Sequence, residues 1–466
     1  MKSTFHGHGQ AEPIGLEYLA AALMEDGFVC EFLGPHEVRV REGTRETRLS
    51  LLSGVSSDLP RIMCAARAAK RDGCTTVAGG CHVSGCQSDV SEEPFDVVVK
   101  GEGERVVVGL ARACSNGADN HLEDWRQVSD GGTCVIEAPR VESLDTLAFP
   151  QRCESRLGTY VLHDLMWPPE SMQRNLAVVL ASRGCLNDCG FCASAAVWGR
   201  GPRFRSPDNF VAELQDLKCR FDTNTIVIID QSFGQEKQWT LDVCRAVRKA
   251  RLGMNWYHQS NLTVDREVLR AMAQAGCTKI GFGLEGISPR AVERIKPPNP
   301  TDFDEINDIL DFCNSLGMLV KLYLMIGFPW ETEETVREYL EWIPWLRGNQ
   351  VKISYMTPFP GTAYWERYSG QLVTRDWGAF DTVSMPVVYN PSISVERYHK
   401  IRKELFQAYY GSRTYADVTR EMLRRFPHYR QSYEEFVSYL RAHEMIRDDE
   451  VWLGWVRPAP GVVPVP

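Results

Sequence analysis

The sequence predicts an α/β protein in three parts. A truncated doubly wound parallel sheet comes first, then a partial (β/α)6 barrel, then a helical C-terminal region. Three observations carry this reading. Short apolar runs alternate with helical patterns over residues 13–110. A strand-then-helix pattern repeats over residues 173–365, and six such units in series argue for a parallel barrel or part of one. Residues 366–466 are mainly helical in pattern.

In the first part, residues 14–26 read as an amphipathic helix ended by Gly27, and residues 60–71 as a helix ended by Gly73. Strands are expected at 29–33, 48–54, 75–78 and 96–100. The last two run into Gly79-Gly80 and Gly101-Glu102-Gly103-Glu104. The domain is placed at residues 1–125 and a linker at 126–172, where Pro150, Pro168 and Pro169 break regular structure. Barrel strands are expected at 176–182, 225–229, 255–259, 279–283, 319–326 and 352–356. Helices fall between them at 207–221, 239–250, 265–275, 302–316 and 333–346. Helices at 395–410 and 416–425 lead to a Pro-rich tail, 457–466.

The chain of 466 residues has room for two or three domains, and 44% hydrophobic with 24% charged residues is ordinary globular composition. It holds no apolar run long enough to span a bilayer and no apolar signal core, so a cytoplasmic protein without a membrane partner is expected. The net charge of −9 argues against nucleic acid and suits a cationic substrate. Fifteen cysteines in such a chain are not a disulfide framework. Cys219, Cys244, Cys277 and Cys313 are scattered, and read as small buried hydrophobes.

One group is not scattered. Cys185-Leu-Asn-Asp-Cys189-Gly-Phe-Cys192 follows the first barrel strand directly, where barrel chemistry is placed. Three thiolates so close together can hold three irons of a cubane and leave the fourth open to a ligand. Zinc is the competing reading, but structural zinc wants four ligands, typically in two pairs, and no second pair lies nearby.

The triplet resembles the C-x3-C-x-Φ-C signature of the radical S-adenosylmethionine (SAM) superfamily, with Phe191 in the aromatic place. The resemblance implies a [4Fe–4S] cluster on Cys185, Cys189 and Cys192, and SAM cleaved to a 5′-deoxyadenosyl radical that takes hydrogen from the substrate. It extends over the barrel. Asp230-Gln-Ser-Phe233 resembles the family's D-x-x-F turn. Gly283-Leu-Glu285 lies in a segment similar to F-G-x-E-S, whose acid contacts the cofactor. Gly327-Phe-Pro329-Trp-Glu331-Thr332 resembles G-x-P-x-E-T, and Thr357-Pro-Phe-Pro-Gly-Thr362 resembles T-P-x-P-G-T. The implied cofactor contacts are Phe191, Asp230, Gln259, Glu285 and Gly327. Asn261 stands where many relatives have arginine, and Arg183 and Arg205 are the candidate substitutes. His258, Tyr323 and Tyr355 are the candidates for moving protons at the substrate.

Pro13-Ile-Gly-Leu, Gly79-Gly80-Cys81-His82-Val83 and Gly101-Glu102-Gly103-Glu104 resemble segments of the cobalamin-binding domain found in many radical enzymes. The usual first strand, an apolar run, is missing from the largely polar residues that precede Pro13. Residues 33–49 are short and charged, and no D-x-H-x-x-G motif offers a cobalt ligand. The domain is therefore read as degenerate, with too few strands and unpaired edges, and cobalamin is disfavoured. His82 is read as a loop residue, and Cys81 and Cys86 as loop thiols. The reaction expected is cobalamin-independent radical dehydration of an aminosugar diol in antibiotic biosynthesis, the type that deoxygenates aminoglycosides. The alternative is a cobalamin-dependent C-methyltransferase of secondary metabolism. An iron–sulfur carrier without catalysis would leave the Glu285 and Glu331 turns without a purpose. A small polar substrate, and an electron donor such as flavodoxin or ferredoxin or a separate reductase, are the expected partners.

Overall fold

The computed structural model describes residues 12–42, 45–85, 94–116, 126–128, 133–152, 176–296 and 299–446. They fall into two units, each discontinuous in the chain. The first holds the described residues within Met1–Leu162, Ala177–Leu217 and Thr357–Val388, and the second those within His163–Leu176, Lys218–Met356 and Tyr389–Pro466.

The first unit contains a seven-stranded sheet of β1 (Phe28–Phe32), β2 (Glu37–Glu42), β3 (Arg45–Ser53), β4 (Thr75–Gly79), β5 (Val97–Lys100), β6 (Arg126–Val128) and β7 (Cys134–Glu137). The order is β1-β2-β3-β4-β5-β7-β6. The inner strands β3, β4, β5 and β7 are parallel, and β1, β2 and β6 join antiparallel. Alternation sends Leu49, Leu51, Val77, Val97 and Val99 to one face, against the helices Ile14–Glu25 and Val107–Asn116. Leu52, Ala78 and Val98 go to the other, against Leu59–Arg71.

Among the described residues the sheet has seven strands, one of them in the segment that was read as short and charged. The charged segment after Leu33 forms β2, with Val38 and Val40 buried and pairing on both sides. Its Val-Arg-Val-Arg alternation is a strand signal that the charges obscure. Residues 1–11, on which the missing first strand was argued, lie outside the described residues, as do Cys86, Pro168, Pro169 and the 457–466 tail.

Buried ion pairs join distant parts of this unit. Arg152 bonds Glu12, Glu17 (3.2 Å) and Glu213 (2.7 Å), and Arg205 bonds Glu213 as well. Glu12 also accepts from the backbone N–H of Val178, in β8 (Leu176–Val179), and so anchors the strand that leads to the cysteine loop. Arg152→Met should destabilise the protein by about 3–5 kcal/mol, because it strands buried carboxylates. Chemical denaturation checks this, and a loss below about 1 kcal/mol would contradict the network's role.

In the second unit, β11 (Thr225–Ile228), β12 (Asn255–Ser260), β13 (Cys277–Glu285), β14 (Leu319–Ile326) and β15 (Gln350–Tyr355) run parallel in chain order. Helices Lys237–Ala250, Arg266–Gln274, Phe303–Ser315 and Glu333–Trp342 alternate with them. Each starts on a side-chain cap, from Glu236, Asp265, Asp302 and Thr332. One face of the strands is apolar, with Trp256, Ile280, Phe282, Leu322, Leu324, Val351 and Ile353. The other carries Tyr257, Gln259, Lys279, Gly281, Lys321, Tyr323 and Lys352.

The C-terminal helices Val395–Tyr410, Arg413–Arg425 and Arg430–Ala442 tie down the amino ends of these strands. Tyr429 donates to Gly317 O at 2.7 Å and Tyr415 to Asn349 O at 3.2 Å, while Asn349 Nδ2 donates to the Tyr433 hydroxyl at 3.0 Å. That leaves the carboxyl ends of the strands for chemistry. Among the described residues, no helix is long and apolar enough to cross a membrane.

Candidate functional site

The cysteine loop belongs to the first unit. A two-residue antiparallel ladder of β9 (Ser182–Arg183) and β10 (Arg203–Phe204) closes its base. Cys185 and Cys189 are half-buried, Cys192 is exposed, and none is in a disulfide. Gly184 turns the chain at φ +90°, and a Cβ there would lie 2.4 Å from Gly201 O. Cys192 N donates to Cys189 O at 3.0 Å, which tightens the turn. Phe191 meets Tyr364 edge-on at 6.1 Å, and Tyr364 N donates to Gly190 O at 2.9 Å. Tyr364 therefore supports the loop, although its sequence context shows only a turn.

Among the described residues, no three His, Cys, Asp or Glu side chains close around a single metal ion. A cubane spreads its thiolates over separate irons, so it does not require such closure. Three accessible or half-buried thiols in one tight loop fit that larger group.

Arg183 and Arg205 are not available as cofactor ligands. Arg183 is buried and donates to Glu102 at 2.8 Å and Glu104 at 2.6 Å. Arg205 donates to Glu213, to Asn209 Oδ1 at 2.6 Å and to Leu180 O at 3.1 Å. Both guanidiniums are used to build the ground beneath the loop.

The strand-end residues belong to the second unit. Glu285 ends β13 at φ +68°, a strained backbone for a residue with a Cβ and a mark of functional positions. Burial pushes its carboxyl pKa up, and Lys296, with Nζ 3.6 Å away, opposes that. Gly283 makes the pair possible, since a Cβ there would lie 2.4 Å from Glu285 Oε1 and 2.7 Å from Lys296 Nζ. Lys296 was not singled out by sequence reasoning. Asp230 is buried just beyond β11. Asn261 donates to Ser232 Oγ at 2.8 Å, so it ties the D-x-x-F turn.

Tyr323 shares a hydrogen bond with the Tyr257 hydroxyl and accepts one from Gln259 Nε2 at 3.1 Å. A side chain at Gly281 would strike both tyrosines at 2.7 Å. This polar cluster brings together two expected residues and one missed, Tyr257, whose alternation with Gln259 is the signal that would have found it.

His258 and Tyr355 do not join it. His258 points to the opposite face, packed by Phe233 and Trp256, and burial pushes its pKa down to about 3. Such an imidazole stays neutral and away from the Tyr323 cluster. Tyr355 also faces the helix side, with its hydroxyl 3.2 Å from His399 Nδ1, and burial raises its pKa. Period-two alternation separates both from Tyr323.

Gly327 turns at φ +92° and donates its N–H to Glu331 Oε2 at 2.7 Å. Phe328 N, Tyr398 and Tyr339 complete the carboxylate's shell at 3.0, 2.8 and 3.0 Å. In the first unit, His82 lies on the short helix Cys81–Gly85 rather than in a loop, with Nδ1 3.0 Å from Ser56 Oγ and its ring edge-on to Trp377.

Residues 179–343 match the model of the Radical SAM superfamily, and residues 6–111 match the B12 binding domain. The chain carries a radical SAM domain and a B12-binding domain. It is 26% identical over 426 residues to an uncharacterized methyltransferase of Pyrococcus horikoshii, covering 85% of this chain and 87% of the relative. It is 26% identical over 399 residues to the hopanoid C-3 methylase of Methylococcus capsulatus, covering 79% and 71%. Among solved structures it is similar in fold to the radical SAM methyltransferase TsrM of Kitasatospora setae, with a TM-score of 0.62 at 17% identity and 85% and 86% coverage. It is also similar in fold to the cobalamin-dependent radical enzyme OxsB, with a TM-score of 0.56 at 13% identity and 85% and 67% coverage.

The B12 binding domain match corrects the expectation that cobalamin is disfavoured. The match runs from residue 6 to residue 111, and the described residues of the first unit include a seven-stranded sheet.

Burial pushes the Glu331 carboxyl up to about 7, against hydrogen bonds from Tyr398, Gly327, Tyr339 and Phe328 that favour the anion. A folded pKa above the ordinary 4.5 means its contribution to stability is full below pH 4.5 and is lost as pH rises through about 7. Denaturation midpoints should therefore fall less between these pH values in Glu331→Gln than in the parent. Parallel curves would contradict the burial effect.

Proposed function

We propose that this chain is a cobalamin-dependent radical SAM methyltransferase that methylates an unactivated carbon of a small polar molecule. The observation that carries the reading is the full-length similarity to a methyltransferase, covering 85% of this chain and 87% of the relative, on a chain that pairs the two domains. The similarity to methyltransferases favours methylation over the dehydration expected from a degenerate first domain.

Cys185, Cys189 and Cys192 would hold the cluster. The turns Ser53-Gly54, Gly79-Gly80 and Lys100-Gly101 sit at the carboxyl ends of β3, β4 and β5, where a doubly wound sheet binds ligands. Gly80 and Gly101 have φ of +98° and +85° and add no side chain to that crevice, which suits a broad flat corrin. When bound, the cluster supplies the electron for SAM cleavage and the corrin a cobalt centre for methyl transfer.

The chain's own residues orient and shield. The Glu285 carboxylate offers an acceptor for the ribose hydroxyls or ammonium of SAM, with Lys296 balancing its charge. Glu331 fixes the Gly327-Phe328 backbone at the end of β14. Tyr257, Tyr323 and Gln259 present hydroxyl and amide groups that can hold substrate polar atoms and pass a proton between phenolic oxygens. A low-potential flavodoxin or ferredoxin is the fitting electron donor.

Anaerobic reconstitution with iron, sulfide and hydroxocobalamin tests the reading. Stoichiometric corrinoid should co-elute with the protein, and 5′-deoxyadenosine and S-adenosylhomocysteine should form together. 5′-Deoxyadenosine without retained corrinoid or S-adenosylhomocysteine would restore the dehydratase reading. Cys185→Ala, Cys189→Ala or Cys192→Ala should abolish cluster binding and both products, and turnover retained in any of them would refute the ligand assignment.

A further inference from the structure

The base of the cysteine loop carries an electrostatic problem. Arg183 and Arg203 are paired directly across the β9–β10 ladder. Like charges directly opposite on adjacent strands repel, and here both side chains are buried, where water cannot screen them. This two-residue ladder is what closes the chain around residues 184–202, which contain all three cysteines.

Glu102 resolves the repulsion. Its Oε2 accepts from Arg183 Nη1 at 2.8 Å, and its Oε1 lies 2.6 Å from Arg203 Nη1. One carboxylate thus bridges both strands. Glu104 Oε1 takes the second Arg183 nitrogen at 2.6 Å, so two buried carboxylates balance two buried guanidiniums. The remaining geometry locks the same place. The Arg183 guanidinium stands over the rings of Tyr18 at 5.0 Å and Trp198 at 4.8 Å, and Arg203 Nη2 donates to Trp198 O at 3.1 Å. Arg140 holds the returning chain through Arg200 O at 2.7 Å and Gly201 O at 2.8 Å. Glu102 and Glu104 follow β5, so they belong to the turn at the end of a strand of the seven-stranded sheet and not to the loop they brace.

We infer that Glu102 is a positioning residue for the iron–sulfur centre. It neutralises the Arg183–Arg203 pair and thereby keeps the cysteine loop closed in a cluster-binding shape. The inference rests on the cluster assignment to Cys185, Cys189 and Cys192. It adds that the sheet domain controls the cluster through charge, without touching it.

The test compares reconstituted full-length protein with Glu102→Gln, Arg203→Met and Glu102→Gln/Arg203→Met. Glu102→Gln leaves two facing cations with one carboxylate. It should hold iron about 10- to 100-fold less tightly against a chelator and show an altered electron paramagnetic resonance signal in the reduced cluster. Arg203→Met removes one of the opposed charges, so the double variant should regain most of the iron and the parent signal. That rescue separates charge balance from a general loss of fold, and Arg203→Met alone, which keeps the Glu102–Arg183 bond, should bind iron nearly as the parent does. Parent-like iron retention and spectrum in Glu102→Gln, or a double variant no better than the single one, would overturn the inference. Failure of the parent itself to take up a cluster would instead remove the cluster assignment beneath it.

Discussion

The ion cage around Arg183 is the interaction on which the cysteine loop depends. A cluster loop must present thiols at an accessible surface, and it must also leave a buried strand at a fixed angle. Hydrophobic packing cannot hold a polar loop in this way. Arginine can, because it keeps its charge when buried and its planar fork fixes direction. Removing such charges from water is costly, so the cage adds little net stability and supplies geometry instead. Arg152 and Arg205 repeat the device: Glu12, Glu17 and Glu213 pair with Arg152, Glu213 also pairs with Arg205, and Glu12 also grips the β8 backbone.

In the second unit the governing constraint is the period of two along a strand. Tyr257, Gln259 and Tyr323 project to one face and converge on a shared hydrogen-bond network, while His258 and Tyr355 project to the other and pack under helices. Gly281 and Gly283 stand where a side chain would collide with the tyrosines or with Glu285 and Lys296. The polar groups gather because those glycines leave room, and the strained Glu285 backbone is held by the neighbours that need its carboxylate there.

Much of this was legible in the chain. The βα alternation placed the barrel strands and helices to within a few residues, since amphipathic periods and capping residues such as Asp265, Asp302 and Thr332 are local signals. The cysteine spacing with Phe191 marked the loop. The β2 strand was obscured because charge dominated a Val-Arg-Val-Arg alternation. That segment and the polar residues before Pro13 carried the case against cobalamin, which the B12 binding domain match counts against. His258 and Tyr355 were misplaced because residue type suggested chemistry, while the facing of each strand depends on what packs behind it.

The sequence by itself determined the fold class, the order of the strands and the residue types that chemistry requires, because all of these follow from short-range periodicity and spacing. Tertiary structure alone decided which of those residues share a face, that Arg183 and Arg205 brace the loop rather than meet a cofactor, and that Glu102 sits between two opposed arginines. Those outcomes depend on groups far apart in the chain brought within hydrogen-bond reach in a dry interior, and no local pattern records which partner a buried charge will find.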